Sequence, residues 1–336
     1  MKLSRLGEFG LIDRISRGVT VGSGVRLGIG DDAAWIDHPQ GSSLVTTDML
    51  IEGIHFNLKW TSLTDLGYKA LAVNLSDIAA MGGTPAYVLL SLGIPANFDS
   101  KKIDELYRGV NELAAKHEIT IVGGDTNTAH SLLISVCLIG HPPKKPICRS
   151  GADVGDDLYV TGTLGDAAFG LNLLRDKYRL RSRAVAQLLK RHRRPTPRLA
   201  AGALLARRNL ATAMIDISDG LIQDLGHICR NSRVGAIIER EKLPISIPLR
   251  ALAGPNSMRY ALSGGEDYEL LFCATKRRRK QIETFGNRAG VQISRIGFCV
   301  SAAKGIRVID AAGMEIAVET HGHDHFKMQS SGAENS

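Results

Sequence analysis

The sequence predicts two domains of mixed α/β (α+β) character, each with a mixed sheet, and three observations lead there. The chain has 336 residues, above the roughly 250–300 at which a single core stops growing. Strand-like and helix-like stretches intermingle without the strict alternation of a doubly wound fold. A proline- and charge-rich stretch, HPPKKPICRSGA from His141 to Ala152, interrupts the pattern in the middle and reads as a boundary. The expected division is 1–145, 146–326 and a polar tail, 327–336, expected to be disordered. Each half carries a Gly-Gly-(Glu)-Asp turn beside an apolar strand.

In chain order, Leu6, Phe9, Ile12 and Ile15 recur at helical spacing and predict a helix over 3–16. Ser43 to Met49 is aliphatic and β-branched, bounded by a Gly-Ser turn and Glu52-Gly53, and predicts a strand. A helix over 61–81 is opened by Ser62-x-x-Asp65 and closed by Gly82-Gly83 with Pro85 beyond. On it Asn74 and Asp77, three apart, share a face. A strand at 86–94 and an amphipathic helix at 99–117 follow, the helix burying Ile103, Leu106, Tyr107, Val110, Leu113 and Ala114. Strands are expected at 119–122 and 132–139, with Gly123-Gly124-Asp125-Thr126 as the turn between them.

The second half opens with a strand at 158–161, the small-residue turn Gly162 to Gly165 and a helix. Helices at 182–192 and 196–208, a strand at 213–217 and a helix at 219–231 come next. Asp216 and Asp219 straddle the start of that last helix, where backbone N–H groups favour anions. A strand at 234–239, a proline-bounded segment at 244–256, a strand at 268–273, a basic helix at 276–289 and two or three short strands complete the domain.

Composition narrows the function classes. Hydrophobic content of 44% and charged content of 23% are those of an ordinary soluble globular chain. The first ten residues lack an apolar signal region and no run approaches the ~20 residues of a membrane span, so the expectation is a cytoplasmic protein. Five cysteines without CxxC spacing argue against a disulfide framework or a thiolate zinc site. The net charge of +8 is concentrated at 175–183, 190–194 and 276–280. Such runs are more often solvated helix faces than nucleic-acid patches, and they suit anionic substrates as well.

The candidate chemistry lies in acidic clusters flanked by small residues: Gly30-Asp31-Asp32, Thr46-Thr47-Asp48, Asn74 to Asp77, Gly123 to Thr126, Asp216 to Gly220 and Gly264 to Asp267. Each alone reads as an Asp capping a turn; their repetition exceeds what turns require. Clustered carboxylates repel unless water, hydrogen bonds or a cation separates them. Hard oxygen donors with few histidines fit magnesium, which carboxylates hold together with substrate phosphates. There is no GxxxxGK[ST], no intact GxGxxG after a strand and no kinase His-Arg-Asp with Asp-Phe-Gly. ATP, if bound, is bound through metal.

Together these clusters, with Gly7-Glu8-Phe9, the run from Thr46 to Phe56, the run from Asn74 to Gly82, Arg149 to Ala152 and Gly264 to Leu270, closely resemble the thiamine-monophosphate kinase family over residues 7 to about 326. The resemblance implies the fold of the aminoimidazole-ribonucleotide-synthetase-like superfamily, with an N-terminal α/β domain that dimerises through its sheet and a C-terminal α/β domain beside it. It implies transfer of the ATP γ-phosphoryl group to thiamine monophosphate with several magnesium ions, in a homodimer. Because the acceptor phosphate is already mostly ionised and the transfer calls for positioning and charge neutralisation, no covalent phospho-enzyme is expected.

Position by position, the resemblance makes Asp31, Thr46, Thr47, Asp48, Asp77, Asp125, Asp216 and Asp219 magnesium ligands, with Asp48, Asp77 and Asp125 at the chemistry. Tyr107, Gly124, Asp125, Arg149 and Ser218 match ATP contacts. His55 and Glu266 match contacts to the thiamine moiety, as do His323 and Phe326, where His323 stands in place of the family's usual aromatic. Two alternatives stand beside this reading. One is another ATP-dependent enzyme of the superfamily, such as aminoimidazole ribonucleotide synthetase, selenophosphate synthetase or the hydrogenase-maturation type. The other is a basic nucleic-acid-binding protein, which requires steeply salt-dependent binding.

Overall fold

The computed structural model describes residues 3–176 and 182–317; His323, Phe326 and the tail at 327–336 lie outside the described residues. The first half contains helix α1 (Leu3–Gly18), strands β1 (Val25–Leu27), β2 (Ala34–His38) and β3 (Gly41–Ile51), helix α2 (Leu63–Ala80), β4 (Thr84–Ile94), α3 (Ser100–Lys116), β5 (Thr120–Thr128) and β6 (Leu133–His141). The second half contains β7 (Asp157–Thr161), α4 (Asp166–Arg175), α5 (Arg183–Arg193), α6 (Leu199–Arg207), β8 (Ala213–Asp216), α7 (Leu221–Ser232) and β9 (Val234–Glu239). It closes with α8 (Ile247–Ala253), α9 (Ser257–Ser263), β10 (Leu270–Ala274), α10 (Arg279–Ala289), β11 (Ile293–Ser301), β12 (Ile306–Ile309) and β13 (Glu315–Ile316).

Among the described residues these strands form two sheets, six strands in the order β1-β2-β3-β6-β4-β5 and seven in the order β13-β12-β9-β11-β7-β10-β8. Both are mixed: β4 and β5 are parallel in the first, β12 and β9 in the second, and the other pairs are antiparallel. A two-sheet mixed fold is what the interspersed periodicities predict.

Helix α2 organises the molecule. Its capping signal works as the sequence implies, since the Ser62 hydroxyl accepts the Asp65 N–H at 3.1 Å. Beyond the cap the helix is apolar on nearly every side, as a helix with partners all round it must be. It packs on β3, β4 and β6, on α3, and on α6 and β8 of the second half. Leu66, Leu71, Leu75 and Ile78 therefore share one continuous core with Leu90, Val136 and Leu138 of the first sheet and with Leu205, Met214, Leu270 and Phe272 of the second half.

The second sheet is buried on both faces, and β7, β8 and β10 are buried throughout. Alternation along β10 divides its side chains: Leu270, Phe272 and Ala274 face the core shared with α2, whereas Leu271 and Cys273 face a second core with Leu225, Ile228 and Leu249. Cys273 and Cys299 meet there as free thiols, Sγ to Sγ 3.7 Å.

The structure corrects the first half in two places. Gly123-Gly124-Asp125-Thr126 is not a turn but the middle of β5, which runs on beside β4 to Thr128 past a bulge opposite Val88 and Leu89. Gly124 is glycine because a Cβ there would lie 1.7 Å from the Leu90 carbonyl oxygen, so its small size serves strand packing within the chain. Strands β1 and β2 were unforeseen, because the acidic turn before β2 masks a five-residue strand. In the second half α9 was unforeseen, as was the length of β11, nine residues.

Candidate active site

The acidic clusters meet where the halves join. Strand β3 supplies Thr46 and Asp48 on the face toward α2, and α2 supplies Asp77 three residues before its end. The turn before β2 supplies Asp32, and β8 ends on Asp216. Carboxylate oxygens of Asp32, Asp77 and Asp216 lie within 4.8 Å of one another. At an effective dielectric near 20, each such pair of ionised groups would repel by about 3.5 kcal/mol.

The titration of these groups follows. Burial, with Asp48, Asp216 and Asp32 beside it, pushes the Asp77 carboxyl well above the usual range, although the Thr46 hydroxyl donates to it at 2.5 Å. Burial and Asp32 push Asp216 up to about 8, and burial and Asp219 push Asp48 up to about 6. Asp31, beside the cluster, is pushed up to about 7 by burial and by Asp32, while its carboxylate accepts the N–H of Arg149 and of Asp32. Arg149 balances part of this charge, its Nη2 3.0 Å from Asp32 Oδ1.

Asp32 Oδ2 and Asp216 Oδ2 are buried without a hydrogen-bond partner. Buried polar atoms are nearly always satisfied, so this all-oxygen set has the vacant lone pairs a hard divalent cation takes.

Six of the eight residues predicted as metal ligands thus come together: Asp31, Thr46, Asp48, Asp77, Asp216 and Asp219, the last beside Asp48 and hydrogen-bonded to Gln223 at 2.9 Å. Thr47 and Asp125 do not join them. Thr47 is exposed and donates to the Val136 carbonyl at 2.9 Å. Asp125 lies in register with Ser91, Ser135 and Met49 across the sheet, a row on the exposed face opposite to Asp48. It accepts from Thr126 N–H and Asn127 Nδ2.

The remaining predicted contacts are distributed as follows. Ser218 lies between Asp216 and Asp219, its carbonyl accepting the Glu266 N–H at 2.7 Å. Glu266 is held by Lys69 Nζ at 2.5 Å, with His192 Nδ1 at 3.0 Å. His55 accepts the Ile51 N–H on Nδ1 at 3.0 Å in the turn after β3. Tyr107 packs against the core from α3.

Three features escaped the sequence reading. Asp32 was named in the turn but not among the ligands, and it is the member of the pair that enters the cluster. Asp224, 2% exposed, accepts the N–H of Asp219 and of Gly220, the two residues before α7, and so fixes the turn that leads into that helix. Lys69, on α2 and one turn before Asn74, carried no sequence signal beyond a lysine in an apolar helix. A cavity of about 260 Å³ opens beside Asp219 between α1 and α7, lined by Phe9, Gln223, His227 and Arg230.

Comparison with known proteins bears on the whole length of this arrangement. Residues 30–141 match the family described as AIR synthase related protein, N-terminal domain, and residues 153–310 match its C-terminal domain. Thiamine-monophosphate kinase of Escherichia coli is 40% identical over 325 residues, 95% of this chain and 98% of its own. The chain belongs to the thiamine-monophosphate kinase family. Its Bacillus subtilis member is 37% identical over 327 residues, 96% of this chain and all of its own. A solved structure described as "AaThiL complexed with AMPPCP and TMP" superimposes with a TM-score of 0.85 at 35% identity, covering 97% of this chain and 99% of that one. The hydrogenase maturation protein HypE of E. coli, at 20% identity and a TM-score of 0.70, shares the fold.

Proposed function

We propose that this chain is a thiamine-monophosphate kinase, which transfers the γ-phosphoryl group of ATP to thiamine monophosphate and yields thiamine diphosphate and ADP. The observation that carries the reading is the full-length likeness to curated members of that family at 37–40% identity, in a chain whose acidic motifs converge at the junction of its halves. A structural relative holding an ATP analogue and TMP supports both substrates. Magnesium is the metal the donor set suits.

A phosphate oxygen of thiamine monophosphate attacks Pγ, the Pγ–O bond to ADP breaks, and ADP leaves with that electron pair. The second pKa of a phosphate monoester is about 6, so the acceptor is already largely ionised at neutral pH and no side chain has to remove a proton. The obstacle is bringing two polyanions into line, which calls for positioning and charge neutralisation. Bound magnesium would supply that neutralisation, held by Asp48, Asp77, Asp216, Asp32 and their neighbours.

The protein's share is geometric. Thr46 fixes Asp77, Arg149 fixes Asp32, and the Glu266 N–H to Ser218 carbonyl bond ties the substrate end to the loop between Asp216 and Asp219. Ser218 and Arg149 are assigned to ATP, and Glu266 and His55 to the thiamine moiety.

The chain is further proposed to act as a cytoplasmic homodimer, with 1–145 as the metal- and ATP-binding half and 146–326 as its partner domain. No helix among the described residues is long and apolar enough to cross a membrane. The outer face of the first sheet supports pairing: Met49, Tyr87 and Val122 are 49%, 45% and 52% exposed, and β5 is an open edge of the sort that pairs with another chain. Thr47 and Asp125 face that side with β6 and β4 between them, roughly 14 Å at ordinary strand spacing. They would serve one ligand together only across two copies.

The test is to incubate purified protein with thiamine monophosphate, ATP and magnesium and to separate the thiamine phosphates by chromatography, with EDTA as control. Thiamine diphosphate matched by ADP, and lost in EDTA, is expected. Folded protein that makes none would turn the assignment toward another ATP-dependent member of the superfamily.

A further inference from the structure

Lys69 is 3% exposed, in the middle of an apolar helix, and its ammonium meets Glu266 Oε1 at 2.5 Å. Lysine is almost never so buried unless paired. Stability does not account for the pair, because replacing a buried ion pair by apolar groups is often neutral or stabilising.

The partner is unusual as well. Glu266 has φ +67°, in the left-handed region where a side chain is strained by about 1–3 kcal/mol and persists only where surrounding contacts fix it. Those contacts are the Glu266 N–H to the Ser218 carbonyl at 2.7 Å and the Tyr268 N–H to the Ile217 carbonyl at 2.8 Å. The two neighbouring acids of the same motif have internal partners. Asp267 accepts the N–H of Gly165 and of Ala167 at the start of α4, and Glu269 is paired with Arg198. Glu266 alone of the three keeps about a quarter of its side chain exposed.

Two costly features, a buried cation and a strained backbone, converge on one partly accessible carboxylate. The groups facing it are Lys69 from α2, His192 from α5, with Nδ1 3.0 Å from Oε2, and Tyr268 from its own segment. Burial would raise this carboxyl, but Lys69 and His192 hold it well below the usual range, and His192 itself is kept toward its neutral form by burial and by Lys69.

We propose that Lys69 and His192 are positioning residues for the acceptor substrate: they clamp the Glu266 carboxylate from the two halves of the molecule so that its open edge meets the thiamine end of thiamine monophosphate. The inference rests on the proposed function and on the assignment of Glu266 to that end. Because Lys69 and Asp77 share α2, the clamp also sets the distance between the thiamine end and the carboxylate cluster. Its loss should weaken acceptor binding while leaving ATP binding and the chemical step nearly intact.

Steady-state kinetics of Lys69→Met, Glu266→Gln and the double variant, with each substrate varied in turn, test this. Expected for Lys69→Met is a KM for thiamine monophosphate raised about tenfold, with kcat and the KM for ATP within about threefold of the parent, the pattern of lost substrate binding rather than lost transition-state contact. The double variant should be no worse than Glu266→Gln, since Lys69 acts through Glu266.

Folded Lys69→Met with an unchanged KM for thiamine monophosphate, or with kcat/KM reduced equally for both substrates, overturns the proposal. If Lys69→Met does not fold, His192→Asn carries the same expectation and the same refutation. Glu266→Gln with an unchanged KM removes the assignment of Glu266 and the clamp with it, while thiamine diphosphate formation by the parent protein is left standing.

Discussion

Asp216 shows at the scale of one residue what the site costs. It ends β8 in full burial, carries an oxygen without a hydrogen-bond partner and faces Asp32 and Asp77. In the metal-free protein burial and like charge hold it protonated to about pH 8, with Asp31 and Asp48 following to about 7 and 6. An unfolded aspartate ionises near 3.9. The folded state therefore binds protons that the unfolded state does not, and this stabilisation, present at low pH, is lost as pH rises through the folded values. In EDTA, thermal melts should show Tm falling from about pH 4, where the unfolded aspartates ionise, to about pH 8, where the last folded one does, and magnesium should flatten that slope. Asp216→Asn should melt higher than the parent in EDTA near pH 8, respond less to magnesium and turn over far more slowly. A lower Tm for Asp216→Asn in EDTA would show that repulsion does not govern the site.

At the scale of elements, α2 was legible because its signals are local: a Ser cap, a Gly-Gly stop and an apolar period. Strand β5 was not. Gly-Gly-Asp is turn chemistry by local preference, and only the carbonyl of Leu90 on the neighbouring strand requires glycine there. The basic runs were likewise ambiguous by composition. Arg191, Arg193 and Arg194 on and after α5 reach Glu269, the Trp60 carbonyl, and Asp65 with Glu112, so that run is spent on internal pairing. The contact of α6 with α2 is close as well: a Cβ on Gly202 would stand 2.0 Å from the carbonyl oxygen of Ala79, two residues beyond Asp77. Gly202→Ala must force the helices apart, and overpacking of this kind costs about 1–3 kcal/mol. The variant should melt several degrees lower and lose kcat as the second half moves away from Asp77. A Gly202→Ala protein with the parent's Tm and rate would mean that the interface yields without disturbing the cluster.

For the whole molecule, the decisive fact is that the predicted ligands divide between two faces of the first sheet, Asp48 toward α2 and Asp125 away from it. If Asp125 serves the site across a pair of copies, Asp48→Asn and Asp125→Asn proteins, each inactive alone, should regain about a quarter of the parent activity after mixing and subunit exchange, as random pairing in a two-fold dimer gives. No recovery from demonstrably mixed dimers would assign Asp125 to its own chain or to no ligand. The sequence by itself determined the local things: mixed α/β elements, the cap and stop of α2, the buried stripe of α3, and an acidic, oxygen-rich chemistry spread over motifs that together resemble one kinase family. Side-chain period and cap residues are properties of neighbours in the chain, so they can be read there. Only the tertiary structure decided that Asp32 joins Asp77 and Asp216, that Thr47 and Asp125 turn away, and that Lys69 holds Glu266. Each of those pairings joins residues far apart in sequence, and what selects them is burial, where an unpaired charge costs far more than it does in water.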